Sequence, residues 1–123
     1  VHARLTPETR MMFGASEFSK MKPTALFINT ARGDLVDSGA LVEALSNETI
    51  AGAALDVFNS EPINSQSMLS QLPNVILTPH IASNTNEALI VSLNMVIDNV
   101  INFINGEEVS SIKLGHLNGG STS

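Results

Sequence analysis

Short, wholly apolar runs alternate along this chain with stretches in which apolar residues recur every three or four positions. Residues 25–29, Ala-Leu-Phe-Ile-Asn, carry no charge and predict a strand buried on both faces of a parallel sheet. Residues 51–57, rich in small residues and apolar except for Asp56 near the end, predict a second buried strand, and Val75-Ile76-Leu77, entered through the turn Leu72-Pro73-Asn74, makes a third. Between them the pattern is helical. A short helix is predicted over 16–21, after the Thr6-Pro7-Glu8-Thr9 turn, with Pro23 limiting its extent. A second runs through 40–45 from an N-cap at Asp37 or Ser38. The longest covers about 85–105, with Leu89, Leu93, Val96, Val100, Ile101 and Ile104 on one face. Ser83 or Asn84 is its expected N-cap, with Glu87 completing a capping box in the second case, and Gly106 is its expected left-handed end. A helix of roughly 20 residues is about 30 Å long, too long for three short strands to cover.

The order helix, strand, helix, strand, loop, strand, helix is an α/β pattern with a parallel sheet. Ligands of such sheets sit at the carboxyl ends of the strands. Three segments of this chain place chemistry there: Arg32 after the first strand, Asp56 at the end of the second, and His80 after the third. A guanidinium grips a carboxylate with two parallel bonds and polarises an adjacent carbonyl. An imidazole donates a proton to a nascent alkoxide near neutral pH. Glu61, in the polar loop after Asp56, is placed to hold that ring and raise its pKa. Each has a plainer alternative. Arg32 could pair at the surface with Asp34 or Asp37, His80 could cap or pack, Glu61 could be solvated, and Asp56 could be a turn residue or an acceptor for a cofactor amide. The coincidence of all of them at strand ends favours a site.

Composition narrows the picture further. At 123 residues the chain amounts to one domain with a modest core. A net charge of −6 with only six basic residues argues against nucleic acid or an anionic membrane as partner. No apolar run approaches the roughly 20 residues needed to span a bilayer. Without cysteine there is neither a disulfide framework nor a thiolate metal site, which fits a reducing compartment. The three histidines are isolated from acidic residues at ligand spacing, so no metal site is expected, and His2 and His116 carry no motif. The abrupt start at Val1 and the Gly-, Ser- and Asn-rich end over 115–123 suggest a fragment with a flexible tail.

Three ordered motifs carry a family resemblance. Phe27-Ile28-Asn29-Thr30-Ala31-Arg32-Gly33, Gly52 through Phe58 with Glu61-Pro62, and Asn74-Val75 through Pro79-His80-Ile81-Ala82-Ser83 resemble the C-terminal part of the D-isomer-specific 2-hydroxyacid dehydrogenases. The likeness runs from His2 to Leu114. It implies the C-terminal half of a Rossmann-like, doubly wound parallel sheet plus a long crossover helix. Residues 1–84 would be a partial dinucleotide-binding domain lacking the Gly-x-Gly-x-x-Gly half, 85–106 the helix returning towards a missing substrate domain, and 107–123 a tail. It also implies that Arg32 binds the substrate's carboxylate and carbonyl, that His80 is the acid/base, and that Glu61 hydrogen-bonds it. The cofactor NAD(P)H, with NADPH the favoured form, would be touched by Thr9, Thr30, Ala31, Arg32, Asp56, His80, Ala82 and Ser83. The substrate would be a small 2-oxo or 2-hydroxy acid, and the parent a cytoplasmic homodimer.

Residues 106–114 resemble the ending of glyoxylate/hydroxypyruvate reductases, and Glu61 weighs against formate dehydrogenases, which carry Gln there. Ala82, where many members have Gly, is a mild departure. Transcriptional corepressors share the fold and the Arg, Glu and His, but favour an aromatic where this chain has Ser83; phosphoglycerate dehydrogenase is another possible relative. Lacking the phosphate loop, the chain alone is expected to bind cofactor weakly and turn over nothing. The apolar face of its long helix would lie partly exposed and promote aggregation.

Overall fold

The computed structural model describes residues 1–109, so most of the 106–114 signal, His116 and the greater part of the expected tail lie outside the described residues. It contains two units, Val1–Ser83 and Asn84–Ser123.

In the first unit β1 (Leu26–Asn29), β2 (Gly52–Leu55) and β3 (Val75–Leu77) form a parallel sheet in the order β1-β2-β3. The strands are shorter than the apolar runs that mark them. Asn29 pairs with Leu55 and Leu55 with Leu77, so all three strands end in register. That register sends residues 30–32, Asp56 and residues 78–80 out at one edge of the sheet. The Asp56 amide reaches the Asn29 carbonyl at 3.0 Å and the Thr78 amide reaches that of Leu55 at 3.0 Å, extending the ladder past each strand.

Helix α1 (Ala15–Ser19) ends two residues before the predicted point, and α2 (Ser38–Ser46) starts where its cap requires. Asp37 is that cap: its side chain accepts from the Gly39 and Ala40 amides. Phe18 of α1, Leu41 and Leu45 of α2, and Leu35 and Ile50 from the connections are fully buried with Phe27 and Leu55 of the sheet. Phe27 meets Phe13 and Phe18 edge-on, at centroid distances of 5.3 and 5.2 Å. Each such side chain contributes about 1.5–3 kcal/mol on burial. Helix α3 (Met68–Gln71), within the expected loop before β3, is a single turn and too short to show a period in sequence.

Burial of the sheet on both faces is not what the structure has. Phe27, Asn29, Ala53 and Leu55 are buried, whereas Leu26, Ile28 and Ile76 are 66%, 52% and 68% exposed. An apolar run is the same whether one face or two is covered, because only packing partners distinguish them. The helices that pack on this sheet bury Phe27 and its neighbours, and the alternate side chains point away from that core.

The second unit contains α4 (Asn86–Asn105). Its N-cap is Thr85, whose hydroxyl accepts from the Ala88 amide, one residue later than the predicted capping box allows. Gly106 ends it with φ 73°, left-handed as predicted. The six residues of the predicted face are 49–75% exposed. By length and composition α4 also qualifies as a membrane span, with a mean hydropathy of 1.5, which corrects the expectation drawn from uninterrupted runs. The difference arises because Asn94, Asp98, Asn99 and Asn102 interrupt the run without lowering the helix average enough.

Candidate active site

Glu61 and His80 meet across 19 residues of sequence: His80 Nδ1 lies 2.8 Å from Glu61 Oε2. The other carboxylate oxygen accepts the Phe58 amide at 3.0 Å, so the Glu61 side chain is held from two directions. The His80 contact first, and the Phe58 amide second, keep the Glu61 carboxyl below the usual carboxylate range. An ionised carboxylate only accepts, so the hydrogen of this pair sits on Nδ1, and Nε2 is not engaged by Glu61. The imidazole is 48% exposed, neither packed nor used as a helix cap.

His80 has φ 55°, the left-handed region that costs a non-glycine residue about 1–2 kcal/mol. Asp56 holds it there. This 3% exposed carboxylate accepts the Thr78 hydroxyl and the Ile81 amide on Oδ1 and the Ala82 amide on Oδ2, fastening the chain on both sides of His80. Three of its acceptor sites are thus filled and one remains on Oδ2.

The Thr78 hydroxyl foremost, then the Ala82 and Ile81 amides, lower the Asp56 pKa. A depressed folded value means that this contribution is complete above the unfolded carboxylate value, about 3.9, and is lost as pH falls through the folded one. The Ile81 and Ala82 amide resonances are therefore expected to stay fixed down to about pH 4 and to move only below it. A transition in the ordinary carboxylate range would contradict the arrangement.

Arg32 caps the 3₁₀ turn Gly33–Leu35 that follows β1. Buried Asn29 shapes this loop, donating to the Arg32 carbonyl at 2.9 Å and accepting the Ala31 amide at 3.0 Å. Arg32 forms an ion pair with neither of the surface partners foreseen for it among the described residues. Asp34 is paired with Arg10 at 2.8 Å and bonded to Asn59 at 3.0 Å, and Asp37 caps α2. Arg32 makes no hydrogen bond or ion pair to Glu61 or His80 among the described residues; its Nη1 donates to the Ala31 carbonyl. The Arg32 and Glu61 loops are nevertheless tied. Asn59 bridges to Asp34, and Gly33 lies directly against the Phe58 backbone. Under the Glu61 loop a cavity of about 250 Å³, lined by Leu41, Leu55, Val57, Ile63 and Leu69 among others, contains no titratable group.

Thr30, Ala82 and Ser83 are exposed beside these loops and Ala31 is half-buried. Thr9 spends its hydroxyl inside the first turn, accepting the Thr6 amide and donating to the Arg4 carbonyl. Sequence reasoning missed Thr78, which donates to Asp56, and Asn59, which bridges to Asp34.

The family model of the D-isomer specific 2-hydroxyacid dehydrogenase NAD binding domain matches residues 1–82. The chain belongs to that family. The Aeropyrum pernix glyoxylate reductase is 47% identical over 107 residues, covering 87% of this chain and 32% of the relative. Among solved structures, D-lactate dehydrogenase with NAD+ from Lactobacillus jensenii superposes with a TM-score of 0.81 at 34% identity, over 90% of this chain and 37% of that one. The NADPH-dependent glyoxylate/hydroxypyruvate reductase from Sinorhizobium meliloti, in complex with NADP and sulfate, gives 0.75 at 31% identity, over 89% and 35%. The chain spans about a third of the length of these proteins. One of these two solved proteins carries NAD+ and the other NADP.

Proposed function

We propose that this chain supplies the proton-transfer and carboxylate-binding half of an NAD(P)-dependent reductase of small 2-oxo acids such as glyoxylate and hydroxypyruvate. The observation that carries this reading is the Glu61–His80 pair at 2.8 Å, held at the carboxyl edge of a parallel sheet that also bears Arg32, which has no carboxylate partner among the described residues. Arg32 grips the substrate carboxylate and draws charge from the adjacent carbonyl oxygen. His80 gives its proton to that oxygen as negative charge develops there, and Glu61 stabilises the resulting orientation and charge of the ring. A reduced nicotinamide, when bound, supplies the hydride. The residues present fit such a cofactor. Asp56 Oδ2 keeps one free acceptor site for a carboxamide, and Thr30, Ala31, Arg32, His80, Ala82 and Ser83 border the same edge. Thr9 contributes through the turn that anchors Arg4.

The helix α4 is read as a protein-packing element rather than a membrane span. Its polar positions are Asn, Ser, Glu87 and Asp98, with no Lys or Arg to meet lipid headgroups. The net charge of −6 supports a role without nucleic acid. A homodimeric, cytoplasmic enzyme is the assembly and location that the family suggests. The test is oxidation of NADH and NADPH by the full-length protein that carries these residues, offered glyoxylate, hydroxypyruvate and pyruvate. Turnover of the first two supports the reading; cofactor binding without turnover of any 2-oxo acid refutes it.

A further inference from the structure

Three segments, the turn carrying Thr9, the loop carrying Arg32 and the loop carrying Glu61, meet at Asp34. This residue lies in the 3₁₀ turn directly after Arg32 and Gly33. Its Oδ2 pairs with Arg10 Nη2 at 2.8 Å, and the Arg10 amide closes the first turn on the Thr6 carbonyl at 3.0 Å. Its Oδ1 accepts the Asn59 side-chain amide at 3.0 Å, and the same nitrogen reaches the Val36 carbonyl at 3.4 Å. One amide nitrogen, with two hydrogens to give, thus straps the Glu61 loop to the Arg32 loop at two points. Asn59 follows Phe58, whose amide donates to Glu61, and Glu61 holds His80. A path of bonds therefore runs from the Arg32 loop to the imidazole, and it starts at Asp34. The backbone repeats the junction: the Asp34 carbonyl accepts the Met11 amide at 2.8 Å, and Met11 stands at φ 53°. A non-glycine residue stays in that left-handed region only where its surroundings impose it.

An exposed ion pair stabilises little, and the Arg10 side chain is 54% exposed. The consequence of the junction lies in geometry rather than in stability. We propose that Asp34 is a positioning residue, which through Arg10 and Asn59 sets where the Arg32 guanidinium stands relative to the Glu61–His80 pair and so governs the grip on the 2-oxo acid without touching it. The effect on substrate rests on the reductase reading above; the joining of the three segments does not.

Steady-state kinetics with glyoxylate, thermal unfolding and amide hydrogen exchange on the full-length protein test the proposal. Asp34→Ala is expected to raise KM for glyoxylate by about tenfold, with a smaller change in kcat, and to lower Tm by only a few degrees. Asp34→Asn keeps an acceptor for Asn59 while losing the charge that faces Arg10, and it should recover part of the KM. Asn59→Ala removes the strap alone and should raise KM in the same direction, which decides the matter even where Asp34→Ala does not fold. A KM unchanged in every folded variant of Asp34 and Asn59, whatever the loss in Tm, overturns the proposal, because Asp34 would then be a stabilising residue only. Amide exchange reads the junction without turnover. Asp34→Ala should speed exchange at Met11 and Phe58 and leave Ile81 and Ala82, which Asp56 holds, as they were. If the wild-type protein oxidises cofactor with no 2-oxo acid, the reductase reading fails and exchange alone decides: faster exchange at Phe58 supports the junction, and unchanged exchange there overturns it.

Discussion

His80→Ala is expected to lower kcat of the full-length protein by about 10²- to 10⁴-fold, the range for removing a positioned general acid. The ring is not a packing element: at 48% exposure its loss leaves no core cavity. Its loop is fastened by Asp56 through the Thr78, Ile81 and Ala82 groups and not through the imidazole, so the backbone around position 80 should survive the change. Affinity for NADH should therefore fall much less than kcat, the signature of a group that acts chiefly in the transition state. Glu61→Gln removes the negative charge facing Nδ1 while keeping size and shape, and it should reduce kcat by less than His80→Ala. Because the carboxylate works through the imidazole, the double variant should be no slower than His80→Ala alone. Steady-state kinetics with glyoxylate on the three variants decides this. Additive losses would mean that Glu61 acts on the reaction independently, and an unchanged kcat in His80→Ala would remove His80 from the chemistry.

The residues of this site were legible because strand ends write themselves into a parallel α/β sequence. Apolar runs stop where the backbone leaves the sheet, and the polar residue that follows is delivered to the ligand edge. Arg32, Asp56 and His80 each follow such a stop. The bonds that hold the site were not legible, because they join residues far apart in sequence. Asp56 to Ile81 and Ala82 spans 25 and 26 positions, and Asn59 to Asp34 spans 25. Nothing local marks Asn59 as a bridge or Thr78 as a donor. Exposure of Leu26, Ile28 and Ile76 escaped notice for a related reason, since composition reports that a side chain is apolar and not whether anything covers it.

Gly33→Ala is expected to be more disruptive to folding than any other single methyl added to a glycine of the described chain. A Cβ built on Gly33 would stand 2.0 Å from the Phe58 carbonyl carbon, 2.2 Å from its oxygen and 2.5 Å from the Asn59 nitrogen. All three are backbone atoms, so no rotamer change relieves the contact, and one of the two loops has to move. Gly33 is not needed for an unusual φ; it lies in an ordinary 3₁₀ turn and is required because two loops touch there. The change should cost about 3 kcal/mol or more, near the upper end for overpacking, and lower Tm by roughly 10 °C. What moves is also what the chemistry depends on, because Gly33 follows Arg32 directly and Phe58 donates to Glu61. Whatever fraction stays folded should therefore hold the guanidinium and the Glu61–His80 pair in altered register and show a raised KM for the 2-oxo acid. Gly106→Ala is the control. It meets no atom within 4 Å, and its only penalty is the left-handed φ of 73°, about 1 kcal/mol, with no effect on the site. Thermal unfolding of the two variants separates the explanations: near-equal Tm losses would mean that backbone conformation, and not the contact between loops, is why position 33 is glycine.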